Sequence, residues 1–153
     1  MIAVGITIGK ALTTLHASAA VVRGRGVLIR GASGSGKSSL LLALLDRDPE
    51  AVLIADDRVT LSAEDGRLLA SAPEEIAGLM EIRGVGVVRQ PYVSPAEISL
   101  VVDLLPLAEC PRLPSESEAH VDIAKVLLRR IFVAIGAADG DARVRAAVVG
   151  VIT

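Results

Sequence analysis

The segment GASGSGKS, residues 31–38, constrains this chain more than any other stretch. It matches the pattern G-x-x-x-x-G-K-[ST] without a gap. Its flanks also fit: the apolar run Val27-Leu28-Ile29 precedes it and the leucine-rich run SSLLLALLDRD follows. Glycines let the backbone turn tightly enough for successive N–H groups to point at phosphate oxygens. A helix N-terminus adds partial positive charge. Strand, loop and helix are therefore predicted in that order. Gly31, Ala32, Ser33, Gly34, Ser35, Gly36, Lys37, Ser38 and the following Ser39 form the expected nucleotide- or polyphosphate-binding set. Lys37 is expected to reach the β- and γ-phosphates, and Ser38 to ligate Mg²⁺. The loop implies phosphate binding; it does not name the reaction.

The rest of the composition narrows the class. The 153 residues amount to one domain, 1–153, long enough to bury a core. Hydrophobic residues make up 52%, yet there is one Phe, one Tyr and no Trp, so the core must be aliphatic. A net charge of −2 and the lack of interleaved basic and aromatic residues argue against nucleic-acid binding. A lone cysteine, Cys110, can form no internal disulfide, which suits a reducing compartment, the cytoplasm. The longest purely apolar run, Leu40 to Leu45, is far short of the roughly 18 residues of a membrane span, so no membrane role is expected. Ala17-Ser18-Ala19 mimics a leader-cleavage site. The segment before it lacks a cationic start and is broken by polar residues and glycines, so no leader is expected.

Periodicity and turn residues place the other elements. Thr14 to Val22 reads as a strand pairing through the turn Arg23-Gly24-Arg25-Gly26 with Val27–Ile29. Asp48-Pro49 ends the leucine helix. Ala51 to Ala55 is a buried strand. Arg58 to Ala70 is a hairpin turning at Glu64-Asp65-Gly66. Pro73-Glu74-Glu75 predicts a helix start, running to about Met80. Val85–Val88 and Ile98–Leu104 are further strands, and Cys110–Ser117 is a polar loop. Leu127–Ile135 fits strand or helix equally, and Ala142–Val149 is a short helix.

Two acidic stretches carry candidate chemistry. In LIADDRV an apolar strand ends in Asp56 and Asp57. Either could hold Mg²⁺, often through water in such folds. Neighbours on an extended strand face opposite ways, so the other carboxylate could face the attacking group as a general base. In Glu81-Ile82-Arg83-Gly84-Val85-Gly86, Glu81 could give Mg²⁺ a second oxygen ligand and Arg83 could neutralise phosphate charge. A Glu–Arg pair closing a helix before a glycine stop fits the same residues equally well. His16, ahead of the first hairpin, reads on its own as a core or edge histidine.

Taken together, HASAAVVRGRGVLIRGASGSGKSSLLLALL, LIADDRV and APEEIAGLMEIRGVGVV resemble the C-terminal catalytic domain of HPr kinase/phosphorylase. The match covers His16 to Val88, with weaker similarity to Leu113. The resemblance implies an α/β fold: a P-loop kinase core with a mixed sheet, similar to phosphoenolpyruvate carboxykinase. It implies a hexameric homo-oligomer. It implies a protein-serine kinase acting on HPr, the phosphocarrier of the sugar phosphotransferase system. The donor would be ATP, or pyrophosphate, with Mg²⁺, and phosphorolysis would be the reverse reaction. Residue by residue, it makes His16 an active-site histidine, Lys37 catalytic and Asp57 the acid/base aspartate. Glu81 becomes the second Mg²⁺ ligand beside Ser38, and Arg112 in PRLP a catalytic arginine. Asp56 is left as a supporting acid near Mg²⁺, and His16 to orient Asp57 or bind a phosphate oxygen. A V-R-P-G-R-N-like segment of the family is not evident after Val126, and the chain is similar to reduced alphaproteobacterial forms. The same core would serve a kinase of a small molecule or another protein, or a nucleotide sensor without turnover.

Overall fold

Four strands that end at one edge define the architecture, and each is an aliphatic run closed by a polar residue or a turn. The computed structural model describes residues 12–150. The segment before Leu12, read above for a leader, lies outside them. In chain order come β1 (Thr13–Leu15), β2 (Ser18–Val22), β3 (Arg25–Arg30), α1 (Lys37–Arg47), β4 (Val52–Ala55), β5 (Val59–Glu64) and β6 (Arg67–Ser71). Then follow β7 (Leu79–Ile82), β8 (Gly86–Arg89), β9 (Ala96–Leu105), β10 (His120–Ile123), β11 (Val126–Ala134) and α2 (Gly140–Val149). The fold is α/β with a mixed sheet and few helices.

The main sheet runs β1-β5-β6-β9-β3-β2-β4. The first part of β9 pairs antiparallel with β6 along one side, and the rest of that side pairs parallel with β11. β7 and β8 form a separate two-stranded sheet. It is held near β4 through a Leu53–Tyr92 bridge and a Val93 N–H to Leu53 carbonyl bond of 2.9 Å.

Side-chain alternation divides the core between the two faces of the sheet. Val27, Ile29, Leu100, Val102 and Val133 meet Leu40, Leu41 and Leu44 of α1 and Val144, Ala147 and Val148 of α2. Leu28, Val101, Val126 and Leu128 turn to the other face with Ile54, Val59, Leu61 and Leu68. β3 is thus buried on both sides, which is why its sequence is continuously apolar. α1 and α2 are joined by Asp141, 2% exposed, which pairs with Arg47 at 3.0 Å and with Arg145.

Several expectations need correction. Thr14–Val22 is two strands, broken at His16-Ala17. The helix expected from Pro73 to Met80 is a single 3₁₀ turn, Glu74–Ile76, followed by β7. Ala77 is already extended, and Gly78 takes φ 77°, which turns the chain out of any helical path. Met80 is then buried and Glu81 exposed, the two-residue period of a strand. Leu127–Ile135 resolves as strand β11. The leucine helix and the closing helix form as predicted, and so do both hairpins, with tighter turns at Arg23-Gly24 and Asp65-Gly66. Among the described residues no helix is long and apolar enough to cross a membrane.

Leu41 is fully buried between α1 and the sheet. Leu41→Ala is expected to lower unfolding stability by about 2–5 kcal/mol, read by urea denaturation.

Candidate active site

β3, β9 and β11 are mutually parallel, and β2 is antiparallel to both β3 and β4. The C-terminal ends of β3, β4, β9 and β11 therefore lie along one edge. There they deliver residues 31–36, 56–58, 106–119 and 135–139, the position where open α/β sheets build ligand crevices. β2 runs the other way. Its start, His16-Ala17-Ser18, arrives at the same edge between the glycine-rich loop and the two aspartates.

The loop is closed by its own contacts. A Cβ on Gly31 would sit 2.4 Å from Ser35 Oγ and 3.1 Å from Leu104 Cβ, so a side chain there would force Ser35 to move. Ser35 N–H donates to the Ala32 carbonyl at 3.0 Å. α1 begins with Gly36 as its cap residue, without a side-chain cap and without an acid in the first turn. Its first N–H groups are left for an anion. Lys37 Nζ donates to the carbonyls of Gly31 at 2.9 Å and Ala32 at 3.1 Å, so the ammonium lies along the loop.

The two aspartates take different positions. Asp56 is 5% exposed, and its Oδ1 accepts hydrogen bonds from Ser18 Oγ and Ser38 Oγ, each at 2.8 Å. No cationic side chain pairs with it among the described residues. A buried carboxylate held by hydroxyls alone is only partly compensated. With the Ser38 hydroxyl it forms a hard-oxygen donor set that suits Mg²⁺. Asp57 is exposed and takes φ 70°. The Arg58 N–H donates back to the Asp56 carbonyl at 2.8 Å, making Asp57 the centre of a γ-turn of the rare positive-φ kind. Such strain persists where surroundings over-determine it. Here the Asp57 carbonyl accepts the Ala17 N–H at 3.2 Å.

That bond belongs to a larger register. Leu15 pairs with Val59 and Ala19 with Ala55 on either side of the break. Carried through it, the register sets Ser18 opposite Asp56, Ala17 opposite Asp57 and His16 opposite Arg58. Two strands bend together at this point. His16 is exposed, its backbone beside that of Asp57.

The other expected site residues are spread out. Glu81 and Arg83 are exposed on the β7–β8 hairpin, and neither has a hydrogen bond or ion pair to the loop or the aspartates among the described residues. Met80 and Ile82 turn into the core, so Glu81 points off the opposite face of β7. No group of three His, Cys, Asp or Glu at metal-ligating spacing occurs among the described residues. Arg112 is exposed on the loop after β9, at the same edge as the glycine-rich loop. Ser115 and Glu118 brace that loop reciprocally: Ser115 N–H donates to Glu118 Oε1 at 2.9 Å, and Glu118 N–H to Ser115 Oγ at 3.3 Å. The bond from the Ser115 N–H holds the Glu118 carboxyl below its usual range.

Two features escape sequence reasoning. Ser18 reads there only as the middle of a small-residue tripeptide, yet it shares Asp56 with Ser38. Arg30, Asp103 and Arg130 form an ion cluster across β3, β9 and β11. The visible signal was a charged residue at or near the end of an apolar strand, as in VLIR and VVDLL.

The strain at Asp57 is testable apart from activity. Asp57→Val should destabilise the protein relative to Asp57→Gly by about 1–2 kcal/mol, because only glycine takes this φ freely. Paired denaturant melts of the two variants measure the difference.

Residues 10–147 match the family model of the HPr serine kinase C-terminal domain. The HPr kinase/phosphorylase of Geobacillus sp. (strain WCH70) is 44% identical over 100 residues, 60% of this chain and 32% of that protein. The HPr kinase/phosphorylase of Brevibacillus brevis is 47% identical over 77 residues, 50% of this chain and 24% of that one. The chain thus spans about a quarter to a third of the length of these curated relatives. The structure of the Hpr(Ser) kinase/phosphatase from Coxiella burnetii superposes with a TM-score of 0.76 at 27% identity, covering 89% of this chain and 88% of that one. With nine-tenths of its length inside the family model and the fold of a solved member, the chain belongs to the HPr serine kinase C-terminal domain family.

Proposed function

We propose that this chain transfers a phosphoryl group to a serine hydroxyl of the phosphocarrier HPr, with ATP or pyrophosphate as donor, on a P-loop kinase core of the phosphoenolpyruvate carboxykinase type. The observation that carries this reading is the joint placement, at one sheet edge, of an uncapped glycine loop, a buried Asp56 tied to Ser38 and an outward Asp57.

The loop amides of residues 31–38 and the α1 N-terminus bind the donor phosphates. Lys37 exchanges its two loop carbonyls for phosphate oxygens, which its flexible stem allows. Ser38 and Asp56 are the residues that fit Mg²⁺, with Glu81 as a further ligand and Arg83 as a phosphate contact once the β7–β8 hairpin lies over the donor. When bound, Mg²⁺ neutralises charge on the donor phosphates. Asp57 faces solvent, where an acceptor hydroxyl can reach it. It takes the serine proton as the serine oxygen attacks the terminal phosphorus and the bond to the leaving phosphate breaks. His16 orients Asp57 or binds a phosphate oxygen, and Arg112 stabilises charge on the transferring group. In reverse, Asp57 returns the proton to the serine oxygen as inorganic phosphate takes the phosphoryl group and leaves as pyrophosphate. The relatives' names, kinase/phosphorylase and kinase/phosphatase, support carrying both directions. A cytoplasmic setting and a homo-oligomer, hexameric in the resemblance, complete the proposal. Val85 at 73% and Leu113 at 84% exposure offer apolar surface for assembly.

Mass spectrometry of HPr after incubation with the protein, Mg²⁺ and ATP should find one added phosphoryl group on a serine. Adding inorganic phosphate should remove it and release pyrophosphate. Asp57→Asn should slow the forward reaction by roughly a hundredfold or more. Transfer near the wild-type rate in that variant would refute Asp57 as the base, and unmodified HPr with the wild-type protein would refute the substrate.

A further inference from the structure

Asp103 lies near the end of β9, at the edge that carries the site, and it is mostly buried. Both its oxygens accept from Arg30: Nε to Oδ1 at 2.8 Å and an Nη to Oδ2 at 2.9 Å, the bidentate fork. Arg30 is the last residue of β3 and the one before Gly31 of the phosphate loop. Asp103 Oδ2 also accepts from Arg130 of β11 at 3.4 Å. The Arg130 guanidinium lies 4.8 Å from the Phe132 ring centroid.

Arg130 in turn grips the 106–119 loop. Its Nε donates to the Glu118 carbonyl at 2.8 Å, and its backbone N–H to the Ala119 carbonyl at 2.7 Å. At the outgoing end, the Cys110 N–H donates to the Leu107 carbonyl at 3.1 Å. The reciprocal Ser115–Glu118 bonds stiffen the return. A continuous chain of charged hydrogen bonds therefore runs from the residue before the phosphate loop, through Asp103 and Arg130, into the loop that carries Arg112.

The sheet does not need this cluster to form. β3, β9 and β11 are already joined by backbone pairing through this register. Part-buried ion pairs are weak sources of net stability compared with aliphatic side chains of similar volume. What they do supply is fixed geometry, because the guanidinium fork accepts only one arrangement of the carboxylate.

We propose that Asp103 is a positioning residue: it sets the Arg112 loop against the phosphate loop and acts on phosphoryl transfer through Arg112. This rests on the reading of the site given under Proposed function. The alternative is a staple that only strengthens the edge of the sheet.

The test is a double-mutant cycle in the full chain with HPr and Mg²⁺–ATP. Asp103→Asn keeps the shape and removes the charge. It is expected to lower kcat by roughly ten- to a hundredfold and leave KM for ATP within about twofold. In an Arg112→Ala background the same change should cost less than about twofold, since there is no arginine left to position. Hydrogen exchange should quicken at amides of residues 111–119 and stay unchanged in α1. Arg130→Lys, which keeps the charge and loses the planar guanidinium that bridges Asp103 and the Glu118 carbonyl, should behave alike and serves if Asp103→Asn does not fold. Effects of Asp103→Asn and Arg112→Ala that multiply independently would overturn the proposal, as would an unchanged kcat in either single variant. If wild-type protein leaves HPr unmodified, the functional reading fails instead. The exchange measurement then still decides whether Asp103 holds the loop, and unchanged exchange would overturn that.

Discussion

The site depends on one carboxylate oxygen. Asp56 Oδ1 accepts from Ser18 at the start of β2 and from Ser38 in the first turn of α1. Those donors come from chain segments on opposite sides of the glycine-rich loop, and the acceptor comes from a third strand. Fixing that oxygen fixes the helix that follows the loop relative to the strand that ends in the acids. A buried carboxylate without a cation would be costly in an apolar setting. Two hydroxyl donors reduce that cost.

The paired aspartates follow from this constraint. Asp56 must turn inward to meet Ser18 and Ser38, and the chain must then leave β4 at once to enter β5. The γ-turn at Asp57 makes that exit in a single residue and throws the second carboxylate outward. The strand carrying His16 breaks opposite the same point, so the bend is shared by both strands. Strain at Asp57 is held by the Ala17 N–H and by the ladders on either side, not by the Asp57 side chain. Among the described residues that side chain makes no hydrogen bond or ion pair, and it faces solvent.

Much of this was legible in the sequence because it is local. The glycine pattern with apolar flanks specifies strand, loop and helix within a short window. The two hairpins announce themselves by Arg-Gly-Arg-Gly and Glu-Asp-Gly. The helix expected after Pro73 failed because its start signals are sound but its continuation is not: Gly78 breaks it, and the Met80-Glu81-Ile82 alternation is that of a strand. Ser18 was missed because its partner is 38 residues away and its own neighbours are small and unremarkable. The Arg30–Asp103 pair is 73 residues apart, and only strand order brings it together. Glu81 was singled out from its sequence neighbours, while its place on the outer face of the separate β7–β8 hairpin comes only from strand alternation.

The central claim is that the adjacent acids divide the work, Asp56 for the metal–nucleotide and Asp57 for the acceptor. Calorimetric titration of Mg²⁺–ATP into Asp56→Asn and Asp57→Asn tests it most directly. The account predicts that Asp57→Asn binds within about threefold of wild type, while Asp56→Asn loses roughly ten- to a hundredfold in affinity. Equal losses in the two variants, or a loss confined to Asp57→Asn, would contradict it.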